Sequence, residues 1–139
     1  MALNGLIQKG VPTDWAIHMM GHELTALFGI DHARTLAIIA ESHYTYNFES
    51  KKEKLAQYAE RVWKVTEGTL EEKAKAGINK TTEFYQSLGI ETKLSAYTSD
   101  YSGTGAEVAR RFEERGMTGL GEHRSLTPSD AEKIVEMAY

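Results

Sequence analysis

Apolar residues recur at helical spacing through most of the chain. Trp15, Met19, Leu24 and Leu27 follow one another at intervals that keep them on one side of a helix. Pro12 and Thr13-Asp14 supply its start and N-cap, and Gly29 its end. Asp31 can cap the next helix, whose run Leu36-Ala-Ile-Ile-Ala40 is apolar enough to be buried nearly all round. That helix should fade near Asn47. Lys51 to Val65 carries Leu55, Tyr58, Ala59 and Val62 along one stripe with charges opposite, and Gly68 closes it. Thr69-Leu-Glu-Glu72 fits the capping-box pattern and predicts a helix towards Leu88, stopped by Gly89. Residues 91–103 are polar and turn-rich and predict a loop. Ala106 to Arg115 predicts a charged amphipathic helix ended by Gly116, with a second loop over 116–125. Thr127-Pro-Ser-Asp130 opens the final helix, with Pro128 in its first turn. No segment sustains the alternation of a half-buried strand, and no repeat is present. The expected fold is all-α, a helical bundle formed as a single domain over residues 1–139.

Composition narrows the function only by exclusion. At 139 residues the chain has the length of one domain. An apolar fraction of 41% with 26% charged residues suits a water-soluble globular protein. A net charge of −4 gives no basic face for phosphate, so no nucleic acid is expected as a partner. No apolar run approaches a membrane span, and none is expected to meet a bilayer. The opening Met1 to Gly10 lacks the basic-then-apolar pattern of a signal peptide and reads as the interior of a helical protein. Absence of cysteine removes disulfides and thiolate chemistry together, and it fits a cytoplasmic protein.

The chemistry is concentrated in His18, His22 and His32, three of the five histidines. Neutral imidazole is the commonest side-chain ligand for transition metals. His18 and His22 are one helical turn apart on the same face. Residues 18 and 32 on one continuous helix would stand ~21 Å apart, too far to share an ion. The chain must therefore turn between them, and Gly29 is the place. A helix running to Phe28 leaves ~15 Å to recover, against ~10 Å for three extended residues. Closure is comfortable if the helix ends earlier, near Thr25 or Ala26. His22-Glu23 begins like the zincin motif His-Glu-x-x-His, but Ala26 stands where its second histidine belongs. Asp31-His32 reverses the His-Asp dipeptide of metal-dependent phosphohydrolases, and no downstream Asp pattern accompanies it. From spacing alone, polar residues on a half-buried face remain the alternative to a metal site.

The segment from Ala2-Leu-Asn-Gly-Leu-Ile to Leu36-Ala-Ile-Ile resembles the helical domain of the iron-containing alcohol dehydrogenases. More narrowly it resembles their butanol dehydrogenase-like, NADPH-dependent aldehyde reductase branch. The family pattern His-x3-His-x2-Gly-x5-Pro-His-Gly keeps its histidine spacing here, with Thr25, Asp31 and Ala33 replacing Gly, Pro and Gly. Leu55-Ala-Gln-Tyr-Ala-Glu-Arg-Val-Trp-Lys-Val-Thr-Glu-Gly68 matches as well, and Gly116-Met-Thr and Leu120-Gly-Glu more weakly. The resemblance implies a fold, the metal-binding C-terminal helical domain of that family. It implies that His18 and His32 ligate a divalent metal, iron or zinc. It implies that His22 lies by the nicotinamide and substrate as a catalytic, cofactor-facing residue that relays protons, with an orienting role as the alternative. His43 and His123 match no family ligand and are expected in packing or surface roles, and Asp31 as a helix cap.

The activity so implied is hydride transfer between NAD(P)H and a primary alcohol or aldehyde, with the metal acting as Lewis acid. The family's other domain, an N-terminal α/β unit that binds the nicotinamide, has no counterpart here. Gly103-Thr-Gly105 is too short for a phosphate loop and sits in a helical region. The family's two further metal ligands, an Asp and a His, are likewise absent. The expectation is a C-terminal part of a longer enzyme, inactive alone and prone to form a homo-oligomer through uncovered apolar surface. The rival is a non-catalytic all-α interaction module whose histidines are structural.

Overall fold

A computed structural model describes residues 5–139; the opening Met1 to Asn4 lies outside them. Among the described residues six α-helices follow in order: α1 (Ala16–Phe28), α2 (His32–Tyr46), α3 (Phe48–Trp63), α4 (Leu70–Ser87), α5 (Thr104–Glu114) and α6 (Pro128–Glu136). Among the described residues there is no strand, only one isolated antiparallel bridge between Leu120 and Leu126. The expected all-α class is therefore the observed one.

The sequence signals at the helix ends act as their chemistry demands. Asp14 Oδ1 accepts the Ala16 N–H at 2.9 Å, which satisfies one of the orphan donors opening α1. Thr69 and Glu72 exchange both capping-box bonds at the start of α4, and Thr127 and Asp130 do the same at α6. At the end of α4 the Gly89 and Ile90 N–H groups reach back to the carbonyls of Gln86 and Tyr85, closing the last turn. Some boundaries differ from the sequence expectation. Helix α3 begins at Phe48, because Asn47 ends α2 and opens α3 with no spacer. It stops at Trp63, where Lys64 at φ 59° supplies the left-handed cap, four residues before Gly68. The 91–103 loop contains a 3-10 turn, Leu94–Ala96, and Leu94 is fully buried.

Two apolar clusters hold the helices together. The larger joins α1, α2, α5 and α6 through Met20, Leu24, Ile38, Ile39, Val108, Phe112, Ile134 and Val135. Leu94, Leu120 and Leu126 reach into it from the loops and tie those loops to the core. Residues 37–40 of α2 are all buried, as their unbroken apolar run requires. The smaller cluster lies between α3 and α4, at Leu55, Ala56, Ala74 and Ile78, with Tyr44 and Phe48 packed against it. Helix α2 thus belongs to both layers, and its N-terminal end is presented beside α1.

Candidate metal centre

Helix α1 carries His18 and His22, and α2 opens on His32. The three imidazoles meet, each offering a nitrogen within 4.8 Å of the others. The closest pair is His18 Nδ1 and His32 Nε2 at 3.1 Å. The rings of His22 and His32 lie stacked, 4.1 Å between centroids and 2° between planes. Trp15 leans on His18 from the preceding turn, with ring centroids 5.3 Å apart. His18 and His32 are half-buried and His22 is exposed.

The expected early end of α1 is not observed. The helix runs to Phe28, where Gly29 takes the left-handed conformation at φ 68° and its N–H closes on the Thr25 carbonyl. The missing distance is recovered by close approach. The first turn of α2 lies directly on Gly21, where a Cβ would stand 2.9 Å from Thr35 Oγ1 and 3.5 Å from the His32 ring. A side chain at position 21 would hold the two helices apart and His32 away from His18. A glycine inside a helix, between two histidines, was the signal available in the sequence.

Thr35 fixes the His32 ring. Its hydroxyl is buried and donates to the His32 carbonyl at 2.8 Å, leaving a lone pair 3.4 Å from His32 Nδ1. That contact favours the tautomer with hydrogen on Nδ1 and a free lone pair on Nε2, towards His18. Burial, and then the neighbouring His22 and His18 rings, hold the His32 pKa below the usual histidine value. Two nitrogens bound to one ion at about 2.1 Å and a near-tetrahedral angle stand about 3.4 Å apart. The observed 3.1 Å lies within a few tenths of an ångström of that spacing, so the donor pair fits a divalent cation. Neutral imidazoles suit both iron and zinc. Among the described residues the cluster contains histidines only.

Glu23, set aside with the zincin motif, has a structural task. It is buried and forms ion pairs with Arg111 of α5 and with Arg115 just past the end of α5, locking the rotation of α1 about its axis. Asp14 ties the start of α1 to the rest of the fold. It receives His43 Nε2 at 3.2 Å and Lys51 Nζ at 2.9 Å, and Lys51 continues to Glu122 at 2.8 Å. Burial pushes the Asp14 carboxyl up, but its bonds from His43, Lys51 and the Ala16 N–H outweigh that and hold it well below the usual carboxylate range. His43 therefore has the expected packing role, and exposed His123 sits beside Glu122. Asp31 stands at the N-cap of α2, but its side chain makes no capping bond and pairs with Arg34 at 3.6 Å. Gly103 and Gly105 form no phosphate loop. Gly105 lets α5 meet α6, since a Cβ there would stand 2.7 Å from the Glu132 carbonyl. Among the described residues no helix is long and apolar enough to cross a membrane.

Comparison with known proteins gives the relatives of the chain as a whole. Residues 5–139 match the profile of the Fe-containing alcohol dehydrogenase family, C-terminal part. The chain is 49% identical over 137 residues to the NADPH-dependent aldehyde reductase YqhD of Escherichia coli, covering 99% of this chain and 35% of that protein. It is 36% identical over 140 residues to the probable NADH-dependent butanol dehydrogenase 1 of Bacillus subtilis, covering 98% of this chain and 35% of the relative. The crystal structure of E. coli YqhD superposes with a TM-score of 0.93 at 48% identity, over 99% of this chain and 35% of that one. NADH-dependent butanol dehydrogenase A of Thermotoga maritima gives 0.83 at 25% identity, over 99% and 36%. The chain thus spans about a third of the length of the relatives it matches.

Proposed function

This chain belongs to the Fe-containing alcohol dehydrogenase family, and we propose that it forms the metal-holding helical part of an NAD(P)-linked alcohol dehydrogenase or aldehyde reductase. The observation that carries the proposal is the 3.1 Å approach of His18 Nδ1 to His32 Nε2 from two different helices. Relatives named as an aldehyde reductase and as butanol dehydrogenases support small alcohols or aldehydes as the substrate class.

His18 and His32 would hold the cation, iron or zinc. When bound, the cation supplies Lewis acidity towards an alcohol or aldehyde oxygen, and the nicotinamide gives or takes the hydride. The chain's own residues set the stage for that chemistry. Thr35 keeps the His32 Nε2 lone pair directed at the site, and Gly21 keeps the ring within reach. Glu23 holds α1 in the rotation that turns His18 inwards. His22 reaches solvent while stacked on His32, so a ring nitrogen of His22 can pass a proton between the site and water. The rest of the coordination and the nicotinamide site are assigned to the portion of such an enzyme that this chain does not span. The chain alone should therefore bind metal weakly and turn nothing over. The apolar residues Leu6, Ile7, Val11 and Trp15 are 63%, 69%, 58% and 42% exposed and support self-association.

The test is a Zn2+ titration with thermal unfolding as readout. Zn2+ should raise the midpoint of the wild-type chain, with the gain lost in His18→Ala and in His32→Ala and retained in His22→Gln. No Zn2+ effect on the wild type would favour the interaction module instead. Steady NADPH oxidation with butanal by the 139-residue chain would overturn the assignment of the nicotinamide site elsewhere.

A further inference from the structure

A cavity of about 340 Å3 opens between α2, α3 and α4, sharing no residue with the histidine cluster. Helix packing creates it. At Gly77 a Cβ would stand 3.0 Å from the Leu55 carbonyl, so α3 and α4 touch there. Space opens beyond that contact, between the first half of α3 and the second half of α4. Leu55 and Ile78 supply an apolar floor, and Tyr44, Tyr58 and Tyr85 line the wall.

The polar groups of this wall are unevenly used. Thr81 donates to the Gly77 carbonyl at 2.8 Å, so Tyr58 must donate to Thr81 Oγ1 in their 2.9 Å bond. The hydroxyls of Tyr44 and Tyr85 have no hydrogen-bond partner among the described residues. Burial pushes both phenols above the usual tyrosine value, helped at Tyr44 by Tyr85 and Tyr58 and at Tyr85 by Tyr58, so both remain protonated donors. Lys51 and Glu122 also line the cavity, but they pair with each other, and Lys51 is held by Asp14 as well, so neither is left for a ligand. Lys54 is different: among the described residues it bonds the neutral Gln57 amide at 3.2 Å and pairs with no carboxylate.

Unused phenol donors, one uncompensated ammonium and an apolar floor call for a ligand with acceptor oxygens, negative charge and a hydrocarbon body. We propose that this cavity binds a small carboxylate with an apolar body. The hydrocarbon rests on Leu55 and Ile78, and the carboxylate oxygens accept from Tyr44 and Tyr85 with Lys54 at the mouth. A neutral ligand leaves the ammonium unanswered. Inorganic phosphate leaves the floor bare.

The experiment uses the full chain with 13C-labelled tyrosine, titrated with 4-phenylbutyrate and followed by NMR. Ring signals of Tyr44, Tyr58 and Tyr85 should shift saturably while the imidazole signals of His18, His22 and His32 stay in place. The Tyr44→Phe/Tyr85→Phe double variant keeps the ring packing and should bind about tenfold more weakly or worse, as loss of hydrogen bonds to a charged group implies. 4-Phenylbutyramide, of the same shape without charge, should bind at least several-fold more weakly. Equal binding of the amide would overturn the recognition of a carboxylate. Shifts that never saturate, or that move with the histidine signals, would overturn the site itself. Unchanged binding in the double variant would remove the tyrosines from it.

Discussion

Gly21→Ala sets a local gain against a tertiary cost at the site. Position 21 is inside α1, where alanine is favoured over glycine by about 1 kcal/mol in helix propensity. The new Cβ, however, would stand 2.9 Å from Thr35 Oγ1 and 3.3 Å from Leu36 Cδ2. Thr35 is fully buried and β-branched, and its hydroxyl is committed to the His32 carbonyl, so it cannot swing aside as a flexible side chain would. Overpacking of this kind costs about 1–3 kcal/mol. The net loss of stability should therefore be small, about 0–2 kcal/mol. The site should suffer more, because relief of the clash moves the first turn of α2 and with it His32. Disturbing groups that orient a metal ligand lowers affinity about 10–100-fold. Urea unfolding gives the first quantity and calorimetric Zn2+ titration the second. The reasoning fails if Gly21→Ala gains the full propensity increment while Zn2+ affinity stays at the wild-type value. Thr35→Ala in the same background is the control. It removes the clashing oxygen and should restore stability, but not affinity, since the hydroxyl that orients His32 is gone.

The Asp14 network makes stability depend on pH with a defined sign. The carboxyl pKa is lowered on folding, so its contribution is complete above the ordinary carboxylate value and is lost as pH falls through the lowered one. The gap in unfolding free energy between wild type and Asp14→Asn should be about 1.5–3 kcal/mol at pH 7. It should narrow steadily below about pH 4, and a gap that widens in acid would contradict the network. Thr25 Oγ1 is buried without a partner among the described residues, so Thr25→Val should raise stability by about 1 kcal/mol, read as a higher urea midpoint at unchanged slope. Leu94→Ala empties a fully buried position in what the sequence presents as a loop, and should cost about 2–5 kcal/mol. A cost near zero would mean that the 91–103 segment is not part of the core.

The helices were readable because each signal is local. Thr69 and Thr127 cap through their own neighbours three residues on, and an apolar run such as 37–40 can only be buried. The three histidines were readable as a group for the same reason, being close in sequence and matching a known spacing. Distances between elements were not readable. Chain-length arithmetic placed the end of α1 too early, since it counts residues along the path and cannot count how closely two helices approach. Glu23 looked like half of a motif, because its partners Arg111 and Arg115 are 88 and 92 residues away. The same is true of the Tyr44, Tyr58 and Tyr85 wall, whose members come from three helices.

Amino-acid order alone thus determined where the backbone coils, to within a few residues at the helix ends, and which histidines are candidates to share one ligand. Those outcomes depend on hydrogen bonds and rotamers within a turn or two. Tertiary packing alone decided that His32 stands 3.1 Å from His18, since that separation requires a bare backbone at Gly21 and a threonine seated against it. Contacts between distant segments form only when the whole core closes.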